Sequence, residues 1–267
     1  MTATVAASVE ETVLLRHDAG GVTTLTLNRP KQYNSLSEEL LAELQSALEA
    51  ISKDDSVRVV VIAGAGTAFC AGHDLKQMRA NPRKDYYQKL FAQCSSVMTA
   101  LIRIPQPVIA RVHGIATAAG CQLVAQCDLA VASENARFAV SGINVGLFCS
   151  TPGMPLSRNV LRKQAMEMLL TGEFIDAHTA AQRGLVNRVV PADQLDAAVS
   201  ALAQQILSKS AVAVSTGKRM FYKQLEMGLD AAYQYAAETM ACNMMAEDAG
   251  EGIDAFAQKR PPQWKHK

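Results

Sequence analysis

Residues 114–122 read Gly114-Ile115-Ala116-Thr117-Ala118-Ala119-Gly120-Cys121-Gln122 and follow the apolar run Val108-Ile109-Ala110-Arg111-Val112. A β-rich run that gives way to small residues and then to a helical pattern is a strand-to-helix turn. The first N–H groups of such a helix have no partner within it, and the positive end of the helix dipole lies behind them. Ala71-Gly72-His73-Asp74-Leu75 also follows a β-like apolar run and precedes a helical pattern. Each segment alone reads as an ordinary tight turn. Together they supply two sets of backbone donors that can converge on one ligand oxygen, the arrangement of an oxyanion hole.

Working outward, Val13 to Asp18 and Gly21 to Leu27 read as strands around the turn Ala19-Gly20-Gly21. Ser37, with Glu38 and Glu39, caps a helix whose apolar positions Leu40, Leu41, Leu44, Leu48 and Ile51 share a face, and Arg58 to Ala63 is then a buried strand. The alternation continues with a helix at 84–103, a strand at 108–112, a helix at 118–125 and a strand at 129–132. β and α units of similar size in succession predict a stacked right-handed spiral. After Pro191 strand signals stop, and residues 192–209, 211–227 and 231–247 read as helices. The expected fold class is α/β, with a core over residues 8–195 and a helical oligomerisation region over 196–267.

The 267 residues are 49% hydrophobic, enough for a sizeable core, and 26 basic side chains balance 25 acidic ones. That balance gives no field for nucleic acid. No apolar run reaches the ~20 residues of a membrane span. The cysteines at 70, 94, 121, 127, 149 and 242 form no CxxC pair and no zinc spacing, so reduced, buried thiols and no metal are expected. Residues 1–11 lack a basic start and an apolar stretch, which predicts a cytoplasmic location. Gly64-Ala65-Gly66 lacks the third glycine of a dinucleotide loop. The basic tail Lys259-Arg260 and Lys265-His266-Lys267 reads as a solvated terminus.

The two donor segments, together with Leu27-Asn28-Arg29-Pro30-Lys31, Val59 to Gly64, Cys127-Asp128-Leu129-Ala130 and Ala180 to Val186, resemble the crotonase (enoyl-CoA hydratase/isomerase) family. The run from Gly142 to Gly153 resembles the branch called enoyl-CoA hydratase domain-containing protein 3. The resemblance implies a crotonase-like (ClpP/crotonase) spiral of stacked β-β-α units and homotrimers or homohexamers. It also implies a coenzyme A thioester as substrate, with no permanently bound cofactor, in acyl-CoA or fatty-acid metabolism. It places the oxyanion-hole donors at the backbone N–H groups of His73 and Ala119. Coenzyme contacts fall at Lys31, Ala71, His73, Asp74, Leu75 and Lys76, and the basic tail gains a second possible role near coenzyme phosphates. The His73 side chain, beside a backbone donor in a turn, is expected to face solvent, and Asp74 is expected to cap the following helix.

The family's hydratases use two glutamates to hold and activate water. Gln122 stands at the first position and Gly142 at the second. Gln122 has no titrating group and reads either as a satisfied buried amide or as a group orienting substrate. Each missing general acid or base costs about 10²- to 10⁴-fold in rate. Cys149, His73 and Glu134 are the nearest substitutes in sequence. The readings that follow are an acyl-CoA enzyme of hydratase/isomerase type with an unusual proton-moving group, a noncatalytic acyl-CoA binder, or another crotonase-fold reaction such as thioester hydrolysis or decarboxylation. Restoring acids by Gln122→Glu and Gly142→Glu is expected to raise hydration, provided position 142 tolerates the side chain.

Overall fold

The computed structural model describes residues 12–267; the expected start of the core at residue 8, and the segment from which location was read, lie outside the described residues. The strands β1 (Leu14–Ala19) and β2 (Val22–Leu27) form the expected hairpin, each starting one residue later than the pattern placed it and β2 ending at Leu27 as expected. The helix α1 (Glu38–Ile51) starts where the Ser37 side chain accepts the Leu40 N–H. Its leucines and Ile51 pack into the core, where truncating one of them to alanine costs ~2–5 kcal/mol.

Along β3 (Val59–Gly64) successive side chains go to opposite sides. Val60 and Ile62 join the main core, and Val59 and Val61 join a second, smaller cluster. A strand covered on both faces reads as a continuous apolar run, which is why it was legible. The chain then adds β4 (Ala68–Cys70), α2 (Leu75–Ala80), α3 (Lys84–Arg103), β5 (Val108–Val112), β6 (Ile115–Thr117), α4 (Ala119–Gln126), β7 (Leu129–Ser133) and β8 (Arg137–Ala139). Each pass leaves one strand in each of two sheets. After a short turn Ser141–Val145 come α5 (Ser150–Asn159), α6 (Arg162–Thr171), β9 (Ile175–Asp176), α7 (Ala177–Gln182) and β10 (Arg188–Val190). One sheet runs β1-β2-β3-β5-β7-β10, parallel from β2 onward, and the other runs β4-β6-β8-β9. Parallel neighbours need long crossovers, which α2 with α3, and α4, supply.

The remaining chain is helical: α8 (Leu195–Leu207), α9 (Ala211–Gln224), α10 (Leu229–Met244) and α11 (Glu247–Ala257). Leu195, Val199 and Leu202 of α8 cover the outer face of the large sheet. The α9 helix is anchored by a buried ion pair between Lys218 Nζ and Asp128 Oδ2 at 2.7 Å, and Nζ also donates to the Leu101 and Gln106 carbonyls. Tyr222 OH donates to Asp128 Oδ1, and the Val108 N–H donates to Oδ2.

Three details differ from the sequence reading. A fourth helix, α11, follows the three expected ones; its glycines at 250 and 252 masked it. The basic tail is not a loose solvated end, since Trp264 Nε1 donates to the Ser208 carbonyl and the buried Asp248 carboxylate accepts the N–H groups of Lys265 and His266. Five of the six cysteines are buried as expected, and Cys242 is exposed on α10.

Candidate active site

The loop between β4 and α2 is held as a third strand would be. The Leu36 N–H donates to the Gly72 carbonyl at 2.7 Å, and the Asp74 N–H donates to the Leu36 carbonyl at 3.2 Å. In this parallel bridge Leu36 bonds to the residues on either side of His73, so the N–H of His73 itself points away from Leu36. No protein acceptor takes it among the described residues. Gly72 makes the loop possible. Its φ of +93° is left-handed, and a Cβ there would sit 2.8 Å from Ala118 Cβ and 3.1 Å from the Ala119 nitrogen. The two segments singled out in the sequence therefore lie directly against each other.

Ala119 is the first residue of α4. Ala118 before it has a φ of 49°, its N–H donates to the Ala139 carbonyl, and its own carbonyl accepts the Gln122 N–H. The Ala119 N–H is one of the helix's unpartnered donors, again without a protein acceptor among the described residues. Ala71, His73, Ala118 and Ala119 line one cavity of about 300 Å³. Leu75, Met78, Phe91, Val145, Leu147 and Phe148 form its apolar wall. Among the described residues no Asp, Glu, Lys or Arg lines it.

The imidazole of His73 does not face solvent as the turn reading expected. It packs edge-on against Phe91 with centroids 5.4 Å apart, and both ring nitrogens are buried without a hydrogen-bond partner among the described residues. Burial lowers its pKa to about 4, so the ring is neutral at physiological pH.

Gln122 is 4% exposed, is not among the residues lining the cavity, and its Oε1 has no hydrogen-bond partner among the described residues. Its amide oxygen is therefore not satisfied within the protein, unlike the satisfied buried amide that the sequence allowed. Gly142 does line the cavity. Its N–H donates to Cys149 Sγ at 3.2 Å. Cys149, also in the wall, has its thiol pushed up by burial, with the Gly142 N–H pulling weakly the other way. Glu134 is exposed and away from the cavity.

Among the coenzyme-contact residues, Ala71, His73 and Leu75 line the cavity, whereas Lys31 and Lys76 are exposed and lie outside the lining. Asp74 caps α2 as expected, its Oδ1 accepting the N–H groups of Lys76 and Gln77. Its Oδ2 accepts from the Arg29 guanidinium at 2.9 Å. Burial opposes the charge on Asp74, but the Arg29 bond and the helix N–H groups outweigh it and hold its pKa below the ordinary carboxylate value. Among the described residues no group of three His, Cys, Asp or Glu side chains is placed to hold a metal.

Sequence reasoning missed the wall made by Met78 of α2 and Phe91 of the separate helix α3, and the Ser141 hydroxyl, paired with Thr117 Oγ1 at 2.7 Å. Ser141 adjoined a highlighted position, but nothing in its spacing announced the partner.

The chain matches the family model described as enoyl-CoA hydratase/isomerase over residues 17–267. It is 46% identical to the mitochondrial enoyl-CoA hydratase domain-containing protein 3 of Xenopus laevis, over 92% of this chain and 84% of that one. A crystal structure of an enoyl-CoA hydratase from Mycobacterium smegmatis superposes with a TM-score of 0.94 at 60% identity, covering 95% of this chain and 99% of that one. The human enoyl-CoA hydratase domain-containing protein 3 superposes with a TM-score of 0.92 at 45% identity, covering 94% and 100%. The expected likeness to that branch and the crotonase-type α/β fold are borne out. The cytoplasmic location is not, because the Xenopus relative, like a probable enoyl-CoA hydratase of Dictyostelium discoideum, is named mitochondrial. That expectation rested on the composition of eleven residues, and a compartment address is read by receptors independently of the fold. By sequence match over nearly its whole length and by fold, the chain belongs to the enoyl-CoA hydratase/isomerase family.

Proposed function

We propose that the cavity binds the acyl part of a coenzyme A thioester, with the thioester oxygen between the N–H groups of His73 and Ala119. The observation that carries this reading is that both donors lack a protein acceptor and border the same uncharged cavity. Two backbone donors in a site with few competing waters stabilise the enolate oxyanion more than the neutral carbonyl, so they lower the barrier to any reaction passing through an enolate. The exposed Lys31 and Lys76 flank this region in sequence and would meet coenzyme phosphates as point charges. No resident cofactor or metal enters this scheme. The activity fits acyl-CoA or fatty-acid metabolism.

Among the described residues the cavity wall holds no carboxylate, which supports a site that does not hydrate by the two-glutamate route. The same observation favours a second reading, a noncatalytic acyl-CoA binder or a reaction in which the enolate forms without a base, as when a β-carboxylate leaves as carbon dioxide. We place oligomerisation, as a trimer or hexamer, on the helices after residue 195; among the described residues α10 buries none of its own and exposes Leu229, Tyr233 and Met240. The test is calorimetric titration with a series of acyl-CoA esters, followed by product analysis of each binder. Saturable binding of acyl-CoA but not of the free acid is expected. Absence of binding across the series would overturn the reading.

A further inference from the structure

We propose that Arg29 is a positioning residue for the thioester, acting through Asp74 to fix the direction of the His73 N–H; this rests on the oxyanion-hole reading above. Arg29 lies in the segment between β2 and α1, and its guanidinium is spread over three groups. One nitrogen donates to the Ser35 carbonyl at 2.6 Å and to Ser35 Oγ at 3.0 Å, and the other donates to Asp74 Oδ2 at 2.9 Å. The ion pair is largely shielded, with side chains 17% and 15% exposed. Asp74 is the residue after His73, and its other oxygen is committed to the first turn of α2. The peptide that carries the His73 N–H is thus gripped on both sides. Leu36 bonds to Gly72 and Asp74 along the backbone, and Arg29 ties Ser35, next to Leu36, to the Asp74 side chain.

The Arg29 segment is rigid in turn. The Asn34 amide is fully buried, accepts the Arg29 N–H at 2.9 Å, and donates to the Ala65 and Ala68 carbonyls, which lead into β4. Arg29 therefore links the strand before the donor loop to the helix after it. Oxyanion stabilisation depends on donor direction, and a donor displaced by less than an ångström loses most of its differential effect. Lysine would keep the charge but cannot span Ser35 and Asp74 at once, because its single ammonium lacks the planar fork. Arg29 has no place in the cavity wall, so any effect it has on the ligand must pass through the loop.

The test uses the intact protein with hexanoyl-CoA labelled with carbon-13 at the thioester carbonyl. Infrared difference spectra report the carbonyl stretch, and calorimetry reports affinity. In the unmodified protein the band moves to lower wavenumber on binding. In Arg29→Gln and Arg29→Lys the shift falls by at least half, while Kd rises only about 5-fold, the scale of one net hydrogen bond. Asp74→Asn keeps a good helix cap and removes the charged partner, and it gives the same loss if the arginine variants do not fold. Folded variants that retain the full carbonyl shift overturn the proposal and leave the oxyanion-hole reading standing. Absence of any shift in the unmodified protein overturns both.

Discussion

Gly142 and Cys149 close the space in which a second catalytic carboxylate would have to stand. The Gly142 N–H donates to Cys149 Sγ, and a Cβ built on Gly142 would lie 2.7 Å from that sulfur and 2.6 Å from the Leu147 carbonyl oxygen. Position 142 is therefore filled by its own loop. The condition for restoring hydration with Gly142→Glu is not met. Gly142→Ala should already cost ~1–3 kcal/mol as an overpacked site, and Gly142→Glu more, measured by chemical denaturation. Adding Cys149→Ala relieves only part of this, because the Leu147 carbonyl remains. A Gly142→Ala variant as stable as the parent would show that the loop yields freely.

The contrast between these positions shows what was legible in the sequence. The strands β2, β3 and β5 and the helices α1 and α3 carry their burial in their own periodicity, and α3 and β5 begin and end where the pattern put them. The donor segments were legible because small residues at a strand end leave a distinctive trace. In contrast, α5 holds two prolines and a glycine and carries no helical pattern, yet its first turn lines the cavity. Loss of a glutamate at 142 could be read from one letter. That Leu147 and Cys149 have taken its place depends on the path of a loop seven residues long. The burial of His73 likewise comes from Phe91 on α3, which no local pattern connects to the loop.

His73 makes stability depend on pH. Its folded pKa is lowered by burial from an ordinary 6.5 to about 4, so between these values the unfolded chain binds a proton that the folded chain does not. Stability from this group is therefore fully kept above about pH 6.5 and declines as pH falls toward 4. At pH 5 the loss is about 2 kcal/mol relative to pH 7.5. Denaturation curves at both values should show a drop that is absent in His73→Gln. An equal drop in both proteins would assign the effect to other groups.

Lys218 should be the side chain whose loss most weakens attachment of the C-terminal helices. It and Asp128 are 6% and 14% exposed, and Asp128 also accepts from Tyr222 and Val108. Removing one partner of a buried pair leaves the other charge uncompensated, which costs ~3–5 kcal/mol. Lys218→Met is expected to destabilise by this amount, whereas Lys218→Met with Asp128→Asn should recover part of it. Hydrogen exchange localised to α9 and α10 would distinguish this detachment from general unfolding. A Lys218→Met protein with unchanged exchange in those helices would refute the anchoring role.

Hydration of a short enoyl-CoA should be slow, by about 10² to 10⁴ relative to a two-glutamate enzyme, because among the described residues no carboxylate lines the cavity. Gln122→Glu alone should not repair it. The Gln122 Oε1 atom is buried and has no donor, so a carboxylate placed there would be desolvated without compensation. Its folded pKa would rise above the ordinary ~4.3, keeping the acid neutral and unable to act as a base. The sign follows from linkage. Above pH ~4.3 the unfolded chain releases the proton while the folded chain retains it, so the stability of the variant falls as pH rises toward the folded pKa. Two measurements check this, the decay of enoyl-CoA absorbance and the denaturation midpoint between pH 5 and 8. No more than a ~10-fold gain in rate is expected, together with a midpoint that declines with pH. A gain approaching the two-glutamate rate, with a flat pH profile, would mean that substrate draws residue 122 into the cavity on binding and supplies the carboxylate with the partner it lacks here.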